Sequence, residues 1–175
     1  MTYCRKSNSI TSRHCKGQAA LSGFTLIEIL IVVVILGILA TVVLPQFSNA
    51  SATARENTLK DELRYIRTQI IVYKAQHHDT APGADGNATT FADQMTKYTD
   101  EKGNVSTTAS AVFKYGPYLS KIPKNPVSAD DKVEMTNQTP LVADGGHGWK
   151  YNPATQEVIA DIVGNDTAGA AYGKY

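Results

Sequence analysis

Beyond residue 23 the sequence contains no cysteine. Its two cysteines, Cys4 and Cys15, lie in the first 23 residues. A chain shortened after that point has no thiol nucleophile, no disulfide and no cysteine ligand for a metal. Cys4, His14 and Cys15 do not make the four-ligand, regularly spaced set of a zinc site, and they read more simply as part of a disposable leader. Charge of one sign is scarce as well, with a formal net charge of +1 over 175 residues. Residues 1–23 hold Arg5, Lys6, Arg13 and Lys16 and no acid, which leaves thirteen bases against sixteen acids in the remainder. That mildly acidic remainder lacks the basic stripe of a nucleic-acid-binding module. No serine, cysteine or acid pair has the surroundings of an activated nucleophile. Gly145-Gly146-His147-Gly148 lacks the lysine and following helix of a phosphate loop, and it reads as a flexible turn. His77-His78-Asp79 falls at a helix end, where neighbouring side chains point in different directions and basic groups suit the helix dipole.

What the sequence does have is one long apolar run, Phe24 to Leu44, twenty-one residues. At a rise of about 1.5 Å per residue a helix of that length spans roughly 30 Å, the thickness of a bilayer core. A secretory signal core is usually about 7–15 residues, so the run is too long for one, although Ala50-Ser51-Ala52 imitates a cleavage site. The bases before the run place the leader in the cytoplasm and whatever follows Leu44 on the other side. The run also carries a carboxylate, Glu28, where an unpaired charge is costly.

The order Gly23, Phe24, Thr25, Leu26, Ile27, Glu28 and then the apolar helix closely resembles the class III leader of type IV prepilins and type II secretion pseudopilins. The resemblance implies that a membrane peptidase cuts after Gly23 and methylates the new amino terminus at Phe24. It also implies an assembly role for Phe24, Thr25, Leu26, Ile27 and Glu28. The glutamate of such proteins is thought to meet the amino terminus of a neighbouring subunit, which neutralises two charges in a low-dielectric setting.

Past the span, Pro45 would break most helices, but it sits where pilin-like helices carry a kink. From Gln46 to His78 the residues Leu59, Leu63, Ile66, Ile70 and Tyr73 recur at helical spacing and put one apolar face against something. Asp79 to Gly86 is turn chemistry. A short helix is expected over Phe91–Tyr98 with Thr90 as its cap. Tyr115 to Pro126 is an extended, proline-fixed crossing. Strands are expected at Val133–Met135, Gly148–Asn152 and Glu157–Val163, with a turn at Pro153–Gln156. They form a small antiparallel sheet with Trp149 and Tyr151 on one face. Tyr172 and Tyr175 stand in a Gly/Ala tail that is either mobile or used in contacts.

The expected organisation is a cleaved leader (1–23), a transmembrane assembly helix (24–44), its amphipathic continuation (45–78) and an extracytoplasmic head (79–175). The fold class is α+β, a pilin fold with its long N-terminal helix packed on the sheet. Tyr118-Leu119, Pro123-Lys124-Asn125-Pro126 and the late Tyr151 look like the head of a major secretion pseudopilin, a group that binds calcium in a C-terminal loop. Here Asn125 stands in place of the aspartate, and the calcium candidates reduce to Asp161 and Asp166 around Gly164. No other cofactor is expected. The implied function is a non-enzymatic filament subunit of type II secretion, single-pass in the inner membrane. Its implied partners are the prepilin peptidase, other copies, other pseudopilins and the assembly platform. The alternatives are a type IV pilin for adhesion, motility or DNA uptake, and an anchored binding domain that never polymerises.

Overall fold

The computed structural model describes residues 23–175. Residues 1–22 of the leader, with Cys4, His14 and Cys15, lie outside them. The chain divides into two units, Met1–Val42 and Val43–Tyr175, and each is taken by itself.

The first unit holds the beginning of helix α1, Leu26–Gln76. Its large apolar side chains from Phe24 to Val42 are between 50% and 84% exposed, so they find no core within this unit. The helix is long and apolar enough there to cross a membrane. It starts at Leu26 rather than Phe24 because Thr25 takes the cap position. It is helical through position 45, so the proline does not end it.

In the second unit, the rest of α1 forms one wall of a head. Leu59, Leu63, Ile66, Ile70 and Tyr73 are each at most 3% exposed, so the apolar stripe legible in the sequence is the buried face. The same stripe continues in both directions with polar residues, Glu56 and His77, which are buried too. Tyr73 and His77 stack at 3.8 Å, and His77 bonds the Tyr73 carbonyl (2.7 Å) and the Thr99 hydroxyl (3.0 Å). His78 and Asp79 adopt positive φ of 53° and 66°, a left-handed ending that stops the helix.

Helix α2 is Ala88–Thr96, three residues earlier than expected at its start. Its cap is Asn87, whose side chain accepts from Thr89 N at 2.8 Å, and not Thr90. Thr90 lies within the helix and donates to Asp85. Phe91 and Met95 face the core. Two-residue strands β1 (Tyr98–Thr99) and β2 (Val105–Ser106) pair antiparallel. Asp100 organises their turn by accepting from Lys102 N and Asn104 N, each at 2.9 Å.

The main sheet comprises β3 (Val133–Met135), β4 (Trp149–Asn152) and β5 (Glu157–Ala160), in that order. It is mixed, not wholly antiparallel: β4 pairs antiparallel with β5, but β3 runs parallel to β4 with Val133 opposite Trp149. The long stretch between β3 and β4 supplies the crossover that parallel pairing needs. Trp149 and Tyr151 point to the core and pack with α1 and α2. All four residues of β4 are buried, because the connection from 136 to 147 folds over the other face. Asn152 Nδ2 donates to the Gln138 carbonyl there (3.0 Å), and Lys150 Nζ to the Val142 carbonyl (3.2 Å). The Pro153–Gln156 turn is closed by Asn152 Oδ1, which accepts from Ala154 N at 2.9 Å. A 3-10 turn, Tyr172–Lys174, ends the described chain.

Candidate functional site

The N-terminal motif is built by a local exchange of hydrogen bonds. Glu28 Oε2 accepts from Thr25 N (2.8 Å) and Thr25 Oγ1 (2.9 Å), while Thr25 Oγ1 accepts from Glu28 N (3.3 Å). This is a capping box, Thr-x-x-Glu, which satisfies amides that a helix start leaves without partners. The sequence reading gave Glu28 one role; the same four letters supply a second. Among the described residues Glu28 Oε1 receives no hydrogen bond. One oxygen therefore holds the helix start, and the other has no donor among the described residues. Phe24 is 84% exposed, and no atom lies within 4 Å of where a Cβ on Gly23 would be.

In the head, the two calcium candidates belong to separate networks. Asp161, buried at the end of β5, accepts from three backbone amides of one loop: Asp144 N at 2.7 Å, Gly145 N at 3.0 Å and His147 N at 2.9 Å. The glycine-rich turn expected to be flexible is thereby fastened at three points. Beside it, the Lys150 side chain is 3% exposed and its Nζ lies 2.8 Å from Asp144 Oδ2, 3.0 Å from Glu134 Oε2 and 3.9 Å from Asp161 Oδ1. The hydrogen bond from Lys150 holds the Asp144 carboxyl down to about 2, with help from Gly146 N. Burial works against the Lys150 charge, but the bonds to Asp144 and Glu134 outweigh it and its pKa lies above the ordinary lysine value. Glu134, Asp144 and Lys150 escaped sequence reasoning because they lie apart in the chain and only the sheet register brings them together.

Asp166 serves the tail. Its Oδ1 accepts from Ala168 N (2.9 Å) and Ala170 N (2.7 Å), its Oδ2 takes the Tyr175 hydroxyl, and Lys60 Nζ stands 3.8 Å away. Tyr172 donates its hydroxyl to Glu56 on α1 at 3.2 Å. Of the two expectations for the tyrosines, use in contacts is the one observed.

Asn125 is fully buried. Its Nδ2 donates to the Gly148 carbonyl (2.8 Å) and its Oδ1 accepts from Val127 N (2.9 Å). An aspartate accepts but does not donate when ionised, so an ionised acid here would leave the Gly148 carbonyl without this donor.

Comparison with known proteins agrees with this geometry. The family model for the prokaryotic N-terminal methylation motif matches residues 22–44. The type II secretion system core protein G of Pseudomonas aeruginosa is 47% identical over 53 residues, 30% of this chain and 37% of that relative. The chain thus spans little more than a third of that protein. The type IV major fimbrial protein FimA of Dichelobacter nodosus is 46% identical over 48 residues, 27% of this chain and 31% of the relative. Core protein G of Dickeya chrysanthemi matches at 24% identity over 151 residues, 84% of this chain and 87% of its own length. No solved structure matches the chain.

The chain carries the prokaryotic N-terminal methylation motif, followed by a long apolar helix and an α+β head, and in these respects it is similar to pilin-like proteins. It is homologous both to type II secretion core protein G and to type IV fimbrial protein.

Proposed function

We propose that this chain is a structural subunit, a pseudopilin, of a pilus-like filament serving type II secretion. A prepilin peptidase cuts after Gly23 and methylates Phe24. The mature protein is held once through the inner membrane by its apolar helix, with the head outside the cytoplasm, until the assembly platform extracts it into the filament. There Glu28 receives the amino terminus of a neighbour. The observation that carries this reading is the free Oε1 of a carboxylate set within an apolar helix, four residues from the amine that cleavage creates. In a low-dielectric setting each of those charges is stabilised by the other.

The secretion reading rests on the head. In the short matches, of 53 and 48 residues, secretion and fimbrial relatives are matched at nearly equal identity. The longer matches, to the Dickeya and Aeromonas hydrophila proteins, extend into the head and are both to core protein G. Mass spectrometry of the mature protein tests the processing: an N-methylated Phe24 is expected, and an intact leader or a start near Ser51 sinks the proposal. Deletion of the gene then separates the machines. Loss of protein secretion with surface pili intact is expected; loss of pili with secretion intact transfers the chain to the type IV pilins, the reading the fimbrial matches favour.

A further inference from the structure

We propose that Lys150 is the built-in structural cation of the head: its ammonium stands where a divalent metal ion would otherwise be held, and the fold needs no calcium. Among the described residues one group of three potential ligands converges, Glu134, His147 and Asp161, with ligand atoms within 4.8 Å of one another. Lys150 Nζ reaches into that group. Oxygens from three parts of the chain meet it: Glu134 on β3, the Val142 carbonyl and Asp144 in the following connection, and Asp161 past β5. The three N–H donors of an ammonium match the three oxygens within 3.2 Å, and Asp161 adds its charge from 3.9 Å.

The donor set does not fit calcium alongside this lysine. Calcium takes about six to eight oxygens at roughly 2.3–2.6 Å. Both Asp161 oxygens already receive backbone amides, and Asp166 is committed to the tail. A divalent ion seated among Glu134, Asp144 and Asp161 would lie within a few ångströms of the ammonium and be repelled by it. Metal and lysine thus compete for the same oxygens, and the lysine has the advantage of attachment. It sits in β4, whose register against β5 is fixed by four residue pairs from Trp149–Ala160 to Asn152–Glu157. Its position is set when the sheet forms, without a ligand having to bind.

The consequence is that taking the ammonium away leaves the carboxylates of Glu134, Asp144 and Asp161 without the cation they share, a charge that a divalent ion would then supply. The test is thermal unfolding of the detergent-solubilised full chain, in excess EDTA and in millimolar calcium chloride. Wild type is expected to melt at the same temperature in both. Lys150→Gln is expected to melt on the order of 10 °C lower in EDTA and to regain part of that loss with calcium; folding only when calcium is present counts as the same result. Asp144→Asn changes an exposed residue and keeps the ammonium, so it should fold, melt slightly lower and remain indifferent to calcium. A wild type that melts higher with calcium overturns the proposal. So does a Lys150→Gln protein that is as stable as wild type, or destabilised with no response to the metal. None of these readouts depends on filament assembly, so the secretion reading stands or falls separately.

Discussion

Thr167 is bound to Glu56 through two hydrogen bonds, its amide to Oε1 at 2.9 Å and its hydroxyl to Oε2 at 2.7 Å, across 111 residues of sequence. With Tyr172 donating to the same carboxylate, this contact fastens the tail to α1. Burial acts to raise the Glu56 carboxyl and is the largest single influence, but the bonds from Thr167 and Tyr172 prevail and leave it below its ordinary value. Asp166 is lowered too, first by the Tyr175 hydroxyl and then by the amides of Ala170 and Ala168.

The sign of the pH effect follows. A carboxyl with a depressed folded-state pKa contributes stability that is present above its unfolded value, about 4, and is lost as pH falls through the folded value. Protection of the Thr167, Ala168 and Ala170 amides against exchange, relative to the intrinsic rate at each pH, should therefore be high at pH 6 and fall below pH about 4, before the amides of β4 and β5 are affected. Simultaneous release of tail and sheet would show that the two are one cooperative unit.

On α1, two residues of similar chemistry should behave oppositely. Leu63 is 1% exposed and Ile71 is 67% exposed. Leu63→Ala is expected to cost about 2–5 kcal/mol in denaturant unfolding of the solubilised protein, and Ile71→Ala to stay within about 0.5 kcal/mol of wild type. Equal effects would mean that the outer face of α1 is covered in the solubilised state.

Asn125→Asp tests why an amide occupies that turn. The new carboxylate would face the Gly148 carbonyl now receiving Nδ2, and a buried acceptor left without a donor costs about 1–3 kcal/mol. The variant should melt lower than wild type at pH 7. The deficit should shrink on acidification, because the protonated acid can donate as the amide does. A deficit constant from pH 7 to 4 would place the cause in packing instead.

How much of this was legible in the sequence depends on the range of the interactions. The α1 stripe was readable because Leu59, Leu63, Ile66, Ile70 and Tyr73 repeat at the helical period, and β3 was placed within its true bounds. The two-residue strands β1 and β2 carry no periodicity to detect. The parallel pairing of β3 with β4 is a property of the crossover, which no local pattern reports. Asn87 and Thr90 are both capping residues, and only the geometry distinguishes Asn87 as the cap of α2. At the candidate site, Gly23, Phe24 and Glu28 are legible as a motif because they are contiguous. Glu134, Asp144, Lys150 and Asp161 span 28 positions and meet only once three strands have paired.

The double engagement of Glu28 allows its two roles to be separated by substitution. Glu28→Gln keeps an oxygen for Thr25 and hence the capping box, but it removes the charge that a neighbour's amine would need. Thr25→Ala keeps the charge and breaks the box, at a cost of about 1 kcal/mol to the helix start. If the charge is what assembly requires, Glu28→Gln should be processed normally and fail to form filaments, while Thr25→Ala should form them with reduced yield. Filament counts by electron microscopy, set beside mass spectrometry of the amino terminus, read both steps. Assembly retained in Glu28→Gln but lost in Thr25→Ala would reverse the assignment and make the helix start, not the free carboxylate oxygen, the feature that assembly reads. That outcome would also explain the carboxylate without any neighbour, as a cap that happens to lie in an apolar helix.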